Sequence, residues 1–191
     1  MTKIRPLPIS EDLLKPILEA RRSLARGNDD AEATPPAFGL AHPVHVMGLR
    51  DLLKGGKVGE TPAAIRVLES RGADIAAFYD VSPSRSDPRV IQAAGADNDY
   101  PALLERGVEV ATGWAASRVS ETDLRLLRIP ALHTEALLLR TKEDREETAV
   151  VIRTLQPGVE MLRPMPLSEL VSRLEAPARL ILENDDGLKG S

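Results

Sequence analysis

The run Leu124–Leu139 (LRLLRIPALHTEALLL) is the most apolar and strand-like stretch of this 191-residue chain, and it follows an amphipathic helical stretch, Tyr100–Arg118 (YPALLERGVEVATGWAASR). Together they call for a sheet with a helix packed on it. Asp99 is placed to cap the helix, and Pro101 falls in its tolerant first turn. Tyr100, Leu103, Leu104, Val108, Ala111, Trp114 and Ala115 form its apolar stripe, so Trp114 is expected on the buried face. Gly107 lies on the same stripe. A glycine there costs about 1 kcal/mol of helix propensity, and close approach of the helix backbone to the sheet is the expected compensation. Strands are expected at 123–129, 131–139 and 148–154. Pro130 marks a bend or an edge position between the first two, and the charged stretch 140–147 (RTKEDREE) makes a hairpin loop.

The rest of the chain is more broken. Residues 11–26 place Leu13, Leu14, Ile17, Leu18 and Leu24 at helical spacing. Pro16 sits too deep for a helix starting at Glu11, so it is expected to kink that helix or shift its start to Lys15. Residues 27–43 (GNDDAEATPPAFGLAHP) read as a linker, which makes the first helix a loosely tied arm. Val44–Leu49 suggests a short strand, followed by a single turn over 51–54. Two alternating runs, 63–69 and 74–81, flank a glycine-containing turn and read as a hairpin. Residues 82–99 read as a loop, 159–162 as an edge strand, and 166–175 as a helix. The expected organisation is an N-terminal helix and linker over 1–36, one domain over 37–183, and a disordered tail over 184–191.

The class is therefore α+β: a largely antiparallel sheet, a main packed helix at about 99–118 and an N-terminal helical arm. Its element order is similar to that of profilin- and longin-type sheets, an analogy of topology that carries no function. The segment Leu126–Leu139 (LLRIPALHTEALLL), between its amphipathic helix and a Pro-Leu-Ser-Glu-Leu helix, resembles a group of uncharacterised bacterial proteins that share an apolar LLRIPAL-type strand pair. The resemblance covers about residues 100–175. It implies a small, soluble bacterial protein and carries over no functional residue.

Composition narrows the function by exclusion. The chain has no cysteine, which removes thiol nucleophiles, disulfides and cysteine-ligated metals. Net charge is −4 and aromatic residues are 3% of the chain, so neither a phosphate-tracking basic stripe nor a base-stacking platform is expected. Nucleic acid is not an expected partner. The N-terminus shows no uninterrupted apolar segment of signal type, and no window reaches the length of a membrane span. A cytoplasmic protein without membrane association is expected.

Three histidines and one carboxylate are the candidate chemistry: His42 and His45 in HPVH, and His133 with Glu135 in HTE. Residues two apart on a strand share a face, so His133 and Glu135 point the same way. Two histidines and a carboxylate make a zinc or non-haem iron set, but HxxH puts its two rings on opposite faces of a strand. The bland alternative is core-edge histidines, with Glu135 in a cross-strand ion pair to Arg125, Arg128, Arg140 or Arg153. GGKVGET at 55–61 departs from a phosphate loop in the order of its lysine and glycines, and reads as a glycine-rich turn. No cofactor is expected, the alternative being zinc or iron. The function expected is a non-enzymatic binding or assembly module, the alternative a small metal- or carboxylate-dependent enzyme using the three histidines. Strands 123–129 and 131–139 are apolar on both faces, and one helix covers one face. A homodimer is therefore expected, and a protein partner is compatible with the same surface.

Overall fold

The computed structural model describes residues 4–24, 37–72, 74–84, 86–95, 99–144 and 146–187. Along them run β1 (Ile4–Arg5), α1 (Glu11–Leu24), β2 (Ala37–Val46), α2 (Leu49–Leu53), β3 (Ala64–Arg71), β4 (Asp74–Val81), β5 (Val90–Gly95) and α3 (Tyr100–Ala116). Then come β6 (Thr122–Ile129), a 3-10 turn (Pro130–Leu132), β7 (Thr134–Arg140), β8 (Thr148–Arg153), β9 (Pro164–Pro166) and α4 (Leu167–Gly187). The described pairings are antiparallel apart from β1 with β6, so the class is α+β. The chain divides into two compact units. The hairpin unit is Pro6–Val44 with Pro62–Glu105; the meander unit is Met1–Arg5, His45–Thr61 and Arg106–Ser191.

The hairpin unit is built on β3 and β4, joined through Gly72 at φ 66°. Strand β2 pairs with β3, and β5 with β4. Both added strands extend beyond expectation. Residues 37–43, expected in a linker, are strand, and β5 lies within the expected loop 82–99. Gly39 and Pro43 in one, and Gln92 and Gly95 in the other, mask the alternation that pairing imposes. Most of the expected linker, 27–36, lies outside the described residues, as do the last two residues expected in the first helix. Helix α1 packs on one face of these strands. Ile17 is fully buried among Ala41, Val67, Ala77, Tyr79 and Val81, and Arg21 pairs with Glu69 at 3.0 Å. The expected loose arm is thus part of this core. The helix begins at Glu11 in spite of Pro16; the amides of Leu13 and Leu14 both donate to the Ser10 carbonyl. Burial of Ile17 offsets the bond that Pro16 cannot make.

The meander unit runs β6, β7, β8, β9 in spatial order. On one face Leu127, Ile129, Ala136, Leu138, Ala149 and Val151 meet Leu52 of α2 and Leu170, Val171 and Leu174 of α4. Helix α4 continues past Pro177 because Leu170, Leu174 and Ala178 extend one fully buried line. It ends at Gly187, so the first half of the expected disordered tail is helical, and 188–191 lie outside the described residues. The edge strand is β9, with its two prolines where an edge tolerates them. Residues 159–162 form no strand, and Leu162 gives one backbone bond to the Val151 carbonyl.

On the other face α3 comes close. A Cβ built on Gly107 would lie 2.3 Å from Ile152 Cγ2 and 3.3 Å from Leu137 Cδ1, which is the close approach the sequence pattern calls for. Both faces of β7 are therefore covered by the chain's own helices, which removes the premise of the expected homodimer. Trp114 departs from expectation: it is half-buried, with the Arg118 guanidinium 4.2 Å from its ring centroid, while Ala111 and Ala115 take the fully buried positions. Gly107→Ala is expected to lower stability by about 1–2 kcal/mol, because overpacking against a β-branched methyl outweighs the propensity gained. A urea melt checks this. In an Ile152→Ala background, which lacks that methyl, the penalty should vanish or reverse.

Candidate functional site

Strand alternation sets which side chains share a face. In the hairpin unit His42 stands opposite Arg66, Arg66 opposite Asp80, and Asp80 opposite Gln92. The result is one polar row across four strands, on the face away from Ile17. Arg66 and Asp80 are almost wholly buried, with Arg66 Nε donating to Oδ1 at 2.6 Å and Nη2 to Oδ2 at 2.8 Å. Arg66 Nη1 donates to the Tyr100 hydroxyl. The guanidinium carbon lies 4.0 Å from the Phe78 ring centroid and 5.3 Å from that of Tyr100. Both the planar fork and the aromatic stacking suit arginine and not lysine. On the opposite face Tyr79 donates to Glu69 Oε2 at 2.7 Å; burial, and then that carboxylate, hold its phenol well above the usual range.

His42 is buried to 1% exposure, and neither ring nitrogen has a hydrogen-bond partner among the described residues. Burial, with the Arg66 charge adding to it, lowers its pKa to about 3. The ring is neutral across the physiological range. His45 belongs to the meander unit and is also buried. Its pKa is lowered, first by burial and then by the Arg125 charge, against an opposing pull from Glu147 and a hydrogen bond to the Gly59 backbone. Arg125 and Glu147 are themselves ion-paired.

His133 and Glu135 do come together. They line a cavity of about 250 Å³ in the meander unit with Arg128, Pro130, Thr134 and Arg153. Its geometry follows from the chain. Pro130 ends β6 and opens the 3-10 turn, and the His133 amide closes it on the Pro130 carbonyl at 3.0 Å. His133 itself takes φ 48°, a left-handed conformation that few non-glycine residues adopt. A small bonded corner holds it there. The Leu132 carbonyl accepts from the Thr134 hydroxyl and from Gln156 Nε2, each at 3.1 Å. Thr134 Oγ1 and Thr154 Oγ1 lie 2.9 Å apart, and the Gln156 amide donates to Thr154 Oγ1.

Below the corner Arg128, Glu135 and Arg153 stand opposite one another on β6, β7 and β8. Arg128 Nε is 3.2 Å from Glu135 Oε1, the cross-strand pair that the apolar strand required of its one carboxylate. Arg153 is exposed, and among the described residues its side chain makes no ion pair. A second, more open concavity of about 430 Å³ borders α1. Glu11, Lys15, Glu19 and Arg22 alternate in sign around Leu14 and Leu18 there, as on an ordinary solvated helix face.

His42 belongs to the hairpin unit, and His45, His133 and Glu135 belong to the meander unit. Among the described residues no group of three His, Cys, Asp or Glu side chains is placed to hold a metal ion. GGKVGET is a turn, with Gly55 and Gly56 at φ 100° and 62°. The polar row of the hairpin unit went unread in the sequence. Counting alone does not pair them: Arg66 lies five residues before the closing pair Arg71–Asp74 and Asp80 six after it, and a register shift between Glu69 and Ser70 brings them opposite. No described helix is long and apolar enough to cross a membrane. The chain matches no protein-family model, no curated protein and no solved structure.

Proposed function

We propose that this chain is a non-enzymatic binding module whose small ligand occupies the cavity framed by Arg128, His133, Glu135 and Arg153. The observation that carries the reading is convergence. Charged side chains from three neighbouring strands meet in one concave space, and His133 in its lining is held in a sparsely populated backbone region. Conformations of that kind cluster at ligand-binding positions, and a concave site with a few placed polar groups is where small ligands bind. The hydroxyl in the lining, on Thr134, is bound to Leu132 and Thr154. That favours binding over nucleophilic chemistry. A homodimer forms no part of the reading, since the chain's own helices cover both faces of β7.

The test is a screen of small polar fragments against the uniformly ¹⁵N-labelled full chain by NMR. Binders should move the amides of His133, Thr134, Glu135 and Arg153 together and saturably. Hits that leave all four in place, or no hits at all, count against the cavity as the site.

A further inference from the structure

We infer that the ligand group held in this cavity is a compact oxyanion, a carboxylate or a phosphate, with Arg153 as its main contact. The inference rests on the cavity being the binding site. Two guanidinium groups and one carboxylate line the space, so the formal charge of these three groups together is positive. The carboxylate is also spoken for: Glu135, with 13% of its side chain exposed, faces Arg128 at 3.2 Å. Arg128 thereby neutralises the group that would repel an anion. What remains directed at solvent is Arg153, opposite Glu135 on β8 and without an ion pair among the described residues.

A guanidinium offers a planar fork of donors that matches the spacing of two oxygens on one carbon or phosphorus. In a partly enclosed site that attraction is screened less than on open surface. A ligand cation meets the opposite field, since the one carboxylate among the described lining residues, Glu135, is already paired. Glu135 in this arrangement is a positioning residue: it fixes Arg128 and tempers the affinity.

The probes are sodium phosphate, sodium acetate and methylammonium chloride, each titrated into the ¹⁵N-labelled full chain at constant ionic strength and read at His133, Thr134, Glu135 and Arg153. At least one of the two oxyanions should give saturable shifts, and methylammonium should give none. Arg153→Gln should weaken the bound anion about tenfold, the scale of one charge-assisted hydrogen bond. Arg140→Gln, an exposed arginine at the far end of β7, should leave it unchanged. Glu135→Gln should tighten binding, because it releases Arg128 and removes the repelling charge. Equal losses in the Arg153 and Arg140 variants, or weaker binding in Glu135→Gln, would overturn the inference. Shifts with methylammonium alone would sink the oxyanion and keep the cavity as a site. Silence with all three probes, together with an empty fragment screen, would sink both.

Discussion

Asp80→Ala is expected to cost about 3–5 kcal/mol, the penalty for leaving one partner of a buried ion pair uncompensated. Arg66 is 1% exposed and Asp80 is equally buried, so water cannot take over when the carboxylate goes. The Tyr100 hydroxyl and the Phe78 ring remain, but neither carries a full countercharge. The loss should appear in a urea melt of the full chain, and in faster amide hydrogen exchange along β3 and β4. Replacing both partners with apolar residues, as in Arg66→Met with Asp80→Leu, should recover most of it, because an apolar pair leaves no charge to desolvate. If Asp80→Ala costs under about 1 kcal/mol, the guanidinium has found solvent and the burial described for it is wrong.

Acid is the second lever. His42 has a folded pKa of about 3 against an ordinary 6.5. Between those values the unfolded chain binds a proton that the folded chain refuses, so stability falls as pH falls. The contribution is fully present above pH 6.5 and is lost through the window down to about pH 3, at about 1.4 kcal/mol per pH unit. At pH 5 the loss from this one ring is about 2 kcal/mol. His45 is shifted in the same direction and adds to it. His42→Leu removes the titration together with two unpartnered nitrogens. Its stability advantage over the parent should grow steadily between urea melts at pH 7.5 and pH 5. A constant difference across those melts would mean that His42 gains a proton without strain, and would refute the account of its burial.

How much of this was legible in the sequence depends on how local the signal is. The hairpin of β3 and β4, the helix at 100–116 and the close pass at Gly107 are written in spacing alone. So is the α+β class. Strands β2 and β5 were misread because pairing with β3 and β4, a non-local fact, overrides their glycines and prolines. Pro16 misled for the same reason, since the burial of Ile17 is invisible from within α1. Trp114 shows the limit of a helical stripe, which gives a direction and not a depth. In the candidate site, the shared face of His133 and Glu135 follows from their spacing. The choice of Arg128 and Arg153 among four arginines does not, because register fixes it. Nor does the separation of His42 and His45 into different units.

The bonded corner at Leu132 ties the cavity to the order in which the chain comes together. One donor to that carbonyl lies two residues away on Thr134 and the other lies on Gln156, 24 positions along the chain. Arg153 likewise comes opposite Glu135 only once β8 has docked on β7. The pocket therefore has no counterpart in an unfolded or half-docked chain. Whatever binds there binds the native form alone, and by mass action it raises the free energy of unfolding by about 2.7 kcal/mol at a hundred times its dissociation constant. Occupancy of this cavity should therefore be read as a higher midpoint of thermal unfolding.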